Sequence, residues 1–199
     1  MITAIDRYTA LVLIDLQKGI VKGQTAHPIK NILEEVVHLV NAFRAAKLPI
    51  VVVNVNPAGA AWTKARTQLS TDPKINIEQQ AIFIEMSKPG NIEITAEIKT
   101  EQTDIFITKK TWNAFFETTL HSDLQKRNIT GIILAGLSTS AGVESTARAA
   151  SELGYNISFA TDAVTDKSLA SHNNSLQNIF PRIGELGTSQ EIICFLQKN

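Results

Sequence analysis

Asp15 follows the apolar run Ala10-Leu11-Val12-Leu13-Ile14, and Lys109 follows a second run that ends Ile105-Phe106-Ile107-Thr108. A third run, Gly131-Ile132-Ile133-Leu134-Ala135, leads into Gly136-Leu137-Ser138-Thr139-Ser140-Ala141-Gly142, a corner of small residues where a helical pattern begins. In an open parallel sheet ligands bind beyond the carboxyl ends of the strands. An acid, a base and a helix start gathered there suit acid–base chemistry on a small molecule. Many hydrolases place a Ser or Cys nucleophile at such a strand-to-helix corner. Here that place reads Ala141-Gly142-Val143, with no nucleophile. Each feature also has a plainer reading. An Asp after a strand caps the next element, the Lys109-Lys110 doublet leaves open which lysine turns inward, and a glycine corner alone specifies a tight turn. Their combination at three strand ends is what points to a site.

The elements that must position these residues are legible from periodicity. Residues 10–14, 50–55, 104–108, 131–135 and 156–160 read as strands, apolar almost throughout, as in parallel strands covered on both faces. Between them, residues 28–47 carry Ile32, Val36, Leu39, Val40 and Phe43 at helical spacing, with Pro28 suited to a first turn. Residues 116–127 and 143–153 read as further helices, the latter with Val143, Ala147, Ala150 and Leu153 in one stripe. Thr188-Ser189-Gln190-Glu191 has the pattern of a capping box before a final helix. The alternation implies an α/β fold, a single doubly wound parallel sheet of about six strands with helices on both faces. One domain over residues 1–199 is expected. Residues 56–98 are the exception: irregular structure and short elements are expected, of the kind that forms lids or subunit contacts.

Composition narrows the function classes. The 199 residues hold 19 Lys plus Arg against 19 Asp plus Glu, so no net field favours nucleic acid or an anionic membrane surface. Cys194 is the single cysteine, which excludes an intramolecular disulfide. Its setting, Ile192-Ile193-Cys194-Phe195-Leu196, predicts a small buried hydrophobe. The opening MITAIDRYTA lacks a cationic start leading into a long apolar run, and the apolar runs are too short to span a bilayer. A cytoplasmic protein without nucleic-acid or membrane partners is therefore expected.

The stretches "ALVLIDLQKGI", "ITKKTWNAFFETTL", "LAGLSTSAGVESTARAASELGYNISFATDAVTD" and "HNNSLQNIFPRIGELGTSQEI" together resemble the isochorismatase-like (cysteine hydrolase) superfamily over nearly the whole chain. The resemblance implies a Rossmann-like fold and a catalytic triad of Asp, Lys and Cys. Asp15 matches the Asp. Lys109 matches the Lys, six residues before Phe115, with Lys110 the other choice. Gly142 stands at the nucleophile's place. The resemblance also implies a non-proline cis peptide at Leu137–Ser138, with backbone N–H groups of the Leu137, Ser138 and Ala141 corner forming an oxyanion hole or anion cradle. Family members are commonly dimers or tetramers, so a homo-oligomer is expected.

Gly142 has no side chain for covalent catalysis. Ser138, Thr139 and Ser140 are offset from the nucleophile's place, and a hydroxyl needs a base to activate it. The true isochorismatases likewise carry Gly there and hydrolyse a vinyl ether, releasing pyruvate. By resemblance Asp15 is the general acid, its pKa raised by an apolar pocket, and Lys109 holds the substrate carboxylate or steadies the charge on Asp15. Arg66 is the candidate for gripping an anionic substrate and Trp62 for lining the pocket. Trp112 and Phe115 either line it too or pack against each other. The stretch "NPAGAAWTKARTQL" (residues 56–69) departs from the substrate-loop pattern of the true isochorismatases. No metal or cofactor is implied: the metal-binding nicotinamidases carry an Asp-x-His…His cluster after the second strand, whereas His27, His38, His121 and His172 have no ligand spacing. For His172 a structural role is expected. The alternative to a thiol-independent hydrolase of a small carboxylated molecule is a catalytically silent member that binds a ligand or partner.

Overall fold

Every residue of β1 (Thr9–Ile14) is buried, as expected of a strand covered on both faces. The computed structural model, which describes residues 2–60 and 73–197, places β1 inside a parallel sheet. The other strands are β2 (Ile50–Val55), β3 (Ile105–Lys109), β4 (Gly131–Leu137), β5 (Asn156–Thr165) and β6 (Glu185–Gly187). Among the described residues the order is β3-β2-β1-β4-β5-β6, and every neighbouring pair is parallel. The chain therefore reverses its winding between β1 and β4, and the crevice at the carboxyl ends of those two strands is where such a sheet admits a ligand.

The helices are α1 (Lys18–Val21), α2 (Ile29–Ala45), α3 (Pro73–Met86), α4 (Pro89–Ile92), α5 (Leu120–Gln125), α6 (Glu144–Glu152), α7 (Leu169–Asn174) and α8 (Ser189–Leu196). Pleating sends Val12 and Ile14 to one face, against Leu120 and Leu124 of α5 and Ala147 and Ala150 of α6. Leu11 and Leu13 go to the other, against Ile32, Val36, Leu39 and Phe43 of α2 and Ile192 of α8. The predicted stripe of α2 is thus the buried one. At α8 both halves of the capping box form: the Thr188 hydroxyl accepts from Glu191 N, and the Glu191 carboxylate accepts from Thr188 N. Among the described residues no helix is long and apolar enough to cross a membrane.

Five local features differ from the sequence expectation. The predicted helix 116–127 contracts to α5 because Glu117 takes a left-handed backbone (φ 52°) that no α-helix continues through. Strand β5 runs five residues past Ala160, where polar Thr161 and Asp162 interrupt the apolar run; a register shift between Leu134 and Gly136 of β4 accommodates them. Strand β6 has three residues, too few to show a period. Within residues 56–98, expected to hold only short elements, α3 spans 14 residues. Its Ile77, Ile82 and Ile84 are exposed, so there is no one-sided stripe to read. Cys194, expected to be buried, lies on the exposed side of α8.

Candidate active site

Asp15 ends β1 with a left-handed backbone (φ 52°), which Asp tolerates better than most residues. Its N–H donates to Val53 O at 2.9 Å, which keeps the turn tied to β2. The side chain is buried. Its Oδ2 lies 2.8 Å from Lys109 Nζ, and its Oδ1, also buried, has no hydrogen-bond partner among the described residues. Lys109 is the last residue of β3, in register with Val55, and is 1% exposed. Its Nζ also donates to the Trp112 carbonyl at 2.6 Å. Lys110 is exposed, so the doublet resolves to Lys109. The alternating burial of β3 gives the reason: Lys109 shares its face with Ile105 and Ile107. Burial pushes the Asp15 carboxyl above its ordinary value, while the charge and hydrogen bond of Lys109 pull against that rise; the net direction is upward.

The corner after β4 contains a cis peptide between Leu137 and Ser138, at the place the resemblance implies. A π-helical turn, Thr139–Val143, follows and runs into α6. The Ser138 carbonyl accepts from Ala141 N and Val143 N, both at 3.1 Å, so the Ala141 amide is engaged within the turn. Gly136 (φ 118°) passes so close to β1 that a Cβ there would stand 2.1 Å from Ile14 O, which only glycine permits. Asp166, just beyond β5, fastens the corner: its Oδ2 accepts from both Ser140 N and Ser140 Oγ at 2.8 Å. On the other side the Asp166 carbonyl accepts from Ala26 N at 2.7 Å. Thr139 Oγ1 meets His172 Nδ1 at 2.9 Å, and the His172 ring packs edge-on to His27, an arrangement consistent with the structural role expected for it. Burial, aided by His27 and opposed by Asp166, holds the His172 imidazole below its ordinary value.

Gly142 is buried directly against the acid. A Cβ added to it would lie 2.9 Å from Ile14 Cγ2, 3.0 Å from Asp15 Oδ2 and 3.1 Å from Leu137 O. A cysteine therefore has no room unless Ile14 or Asp15 moves. Gly142→Ala is expected to lower stability by about 1–3 kcal/mol through overpacking. Urea denaturation measures this, and an unchanged midpoint would show that the corner yields freely.

A cavity of about 440 Å³ opens over this corner. Asp15, Ser138, Ala141 and Gly142 line its base, with Trp112 on one side and Ile82 and Met86 of α3 on another. Lys109 stands behind Asp15 and Leu137 is buried behind the turn, neither facing the cavity. Phe115, a candidate for substrate contact, instead stacks on Tyr155 (ring centroids 5.7 Å) and meets the edge of His121, away from the cavity lining. Trp112 and Phe115 thus part company: the first lines the cavity and the second joins the core. Trp62 and Arg66 lie outside the described residues. Among the described residues no group of three or more His, Cys, Asp or Glu side chains is placed to hold a metal ion. A second cavity, about 330 Å³, lies at the amino ends of the strands beside Thr9, Gly131 and Asn156, and none of the sequence-predicted site residues lines it.

Three residues of the site escaped the sequence reading. Gln17 is 1% exposed and clamps the end of β2, its Oε1 accepting from Val55 N at 2.7 Å and its Nε2 donating to the Val55 and Asn91 carbonyls. Asp166 and Lys167 follow β5 as Asp15 follows β1, so the same strand-end signal was present. It was hidden because Asp162 broke the apolar run early.

A sequence profile of the isochorismatase domain matches residues 9–191. The isochorismatase family protein YwoC of Bacillus subtilis (strain 168) is 39% identical over 189 residues, covering 93% of this chain and 92% of its own. The isochorismatase family protein YecD of Escherichia coli O157:H7 is 34% identical over 192 residues, covering 93% and 94%. Among solved structures, an isochorismatase family protein from Burkholderia thailandensis superposes with a TM-score of 0.86 at 32% identity, over 99% of this chain and 100% of its own.

Proposed function

This chain belongs to the isochorismatase family, and we propose that within it the protein hydrolyses a small carboxylated molecule by Asp15 acid–base chemistry without a nucleophilic thiol. One observation carries the reading: Asp15 lines the base of the cavity with Oδ2 held by Lys109 and Oδ1 without a hydrogen-bond partner among the described residues. A carboxyl that burial raises above its ordinary value, at the base of a cavity, holds its proton to higher pH than a solvated Asp and is suited to delivering it. Gly142, whose missing Cβ leaves the space that Asp15 Oδ2 and Ile14 occupy, argues against an acyl-enzyme route.

The reaction that fits this apparatus is hydrolysis of a vinyl ether, with isochorismate as the specific candidate. The Asp15 carboxyl proton passes to the terminal methylene carbon of the enol ether, which becomes a methyl group. Positive charge develops on the ether-bearing carbon. Water adds its oxygen there and returns a proton to the Asp15 carboxylate. The hemiketal then collapses: the bond from its central carbon to the ring-bound oxygen breaks, the hemiketal hydroxyl becomes the pyruvate ketone, and its proton ends on the departing oxygen, which leaves as the ring alcohol. Lys109 acts throughout on Asp15, because its Nζ is occupied by Asp15 Oδ2 and the Trp112 carbonyl and does not face the cavity. It steadies the charge that appears on Asp15 after proton transfer. Incubation with isochorismate is expected to yield pyruvate over many turnovers, measured by lactate dehydrogenase coupling. Release no faster than with Asp15→Ala would sink the specific substrate.

A second reading, a silent member that binds a ligand or partner without turnover, is favoured by the missing thiol. It predicts occupancy of the cavity with no conversion, and multiple turnovers of any substrate exclude it. Assembly as a dimer or tetramer in the cytoplasm completes the proposal; the exposed Ile77, Ile82 and Ile84 of α3 supply apolar surface for a homo-oligomer.

A further inference from the structure

The acid of this site has been located, but the group that recognises a substrate carboxylate has not. Lys109 is excluded by its burial behind Asp15. Among the described residues lining the cavity, the charged side chains are Asp15, Glu85 and Lys167. Glu85 at the end of α3 is already engaged, its carboxylate meeting Lys88 Nζ at 2.5 Å and Asn91 Nδ2 at 2.9 Å. Lys167 is exposed, and among the described residues it has neither an ionic nor a hydrogen-bonded partner. Among the described residues it is therefore a cation without a counter-ion, at the rim of a cavity whose lining includes apolar Ile20, Val55, Pro57, Ile82, Met86 and Trp112.

The position of Lys167 is set by structure. Its neighbour Asp166 is bolted to the corner through Ser140 N and Oγ, to Ser168 N at 3.3 Å, and through its carbonyl to Ala26 N. The Lys167 backbone is thus held to the same turn that carries Gly142, and its side chain rises from a fixed point beside the cavity. A flexible stem ending in a compact ammonium meets a carboxylate as a point charge. In a cavity of low polarity such a contact is worth more than it is on an open surface.

We propose that Lys167 is the specificity-determining residue of this cavity, receiving the carboxylate of an anionic substrate at the rim while the other end of the molecule meets the Asp15 carboxyl. This rests on the cavity being the substrate site, but it concerns binding and does not depend on which bond is broken. The substrate class follows from the two ends: a small molecule with a carboxylate at one end and, across from it, a proton-accepting or hydrogen-bond-donating atom. The pairing assigns to Lys167 the role for which Arg66 stood as the sequence candidate.

Benzoate and benzamide test this, since they share a shape and differ in charge. Their dissociation constants are measured by ligand-observed NMR at low salt for the wild-type protein and for Lys167→Met, Lys167→Glu and Lys167→Arg. Because Lys167 is exposed and has no ionic or hydrogen-bonded partner among the described residues, the variants should retain the wild-type circular dichroism. The wild type is expected to prefer benzoate by about tenfold, the discrimination of one charge-assisted contact. Lys167→Met should bring the ratio to about one, Lys167→Glu should invert it, and Lys167→Arg should keep it; added salt should compress the wild-type ratio. A wild type that does not discriminate or binds neither probe overturns the proposal, and so does a preference that survives in Lys167→Met. If the preference behaves as expected and no pyruvate is released from isochorismate, the hydrolytic reading fails alone.

Discussion

Asp15→Asn is expected to lower kcat by about 100- to 10,000-fold on any substrate the protein turns over, the range that general acid–base catalysis commonly supplies. Asn keeps the volume and can still accept a hydrogen bond from Lys109 Nζ, which now lies 2.8 Å from Oδ2. It offers no acidic proton. The variant should therefore bind ligand with little change in KM while losing the chemical step, the pattern of an interaction needed only in the transition state. The pH profile gives a second readout. Burial raises the Asp15 carboxyl above its ordinary 3.8, with Lys109 opposing, so the protonated acid persists to higher pH than for a solvated Asp. Activity should fall as pH rises through that elevated value, and the residual activity of Asp15→Asn should show no such limb. The stability term has the same sign. A carboxyl raised on folding contributes fully below 3.8, and that contribution is lost as pH rises through its folded value. An Asn variant with wild-type kcat would remove Asp15 from the chemistry altogether.

The second large effect concerns stability. Lys109→Ala should destabilise the fold by about 3–5 kcal/mol near neutral pH, because it strands the Asp15 carboxylate in a buried site with Oδ1 already unpartnered. The loss should shrink at acid pH, where Asp15 is protonated and no charge is left uncompensated. Replacing the pair together, as Asp15→Leu with Lys109→Met, should cost less than the sum of the single variants. A buried ion pair exchanged for apolar side chains of similar volume is often close to neutral in stability. Urea denaturation of the wild type, Asp15→Leu, Lys109→Met and the double variant closes this cycle. Lys99→Ala is the control, at an exposed position whose side chain has no ionic or hydrogen-bonded partner among the described residues, and should fall within about 0.5 kcal/mol of wild type. Additivity of the two pair substitutions would show that the Asp15–Lys109 contact carries no coupling.

Asp15, Lys109 and the 136–142 corner are all legible from sequence, because each follows an apolar strand and strand ends are where such a sheet exposes its loops. The inward choice of Lys109 over Lys110 stayed open in the residues, and the alternating burial of Ile105, Ile107 and Lys109 along β3 decides it. Asp166 and Lys167 were not. A strand containing Thr161 and Asp162 does not read as continuous, and only the register shift at Leu134/Gly136 lets β5 carry on to Thr165. The helix α3, which supplies Ile82 and Met86 to the cavity, was unreadable for a different reason. Its exposed isoleucines break the correspondence between apolar and buried on which periodicity depends.

By itself the sequence determined the parallel α/β sheet, the acid at the end of β1, the lysine at the end of β3, and a corner without a thiol. These are local properties, written in runs of a few residues and in the identity of single positions. The tertiary structure alone decided that Lys109 serves Asp15 and does not face the cavity, that Asp15 keeps one oxygen unpartnered, that Gly142 has no space for a side chain, and that Lys167 stands at the rim. Each of these depends on segments far apart in the chain meeting at the β1–β4 crevice, and burial, ion pairing and steric room exist only once those segments are packed together.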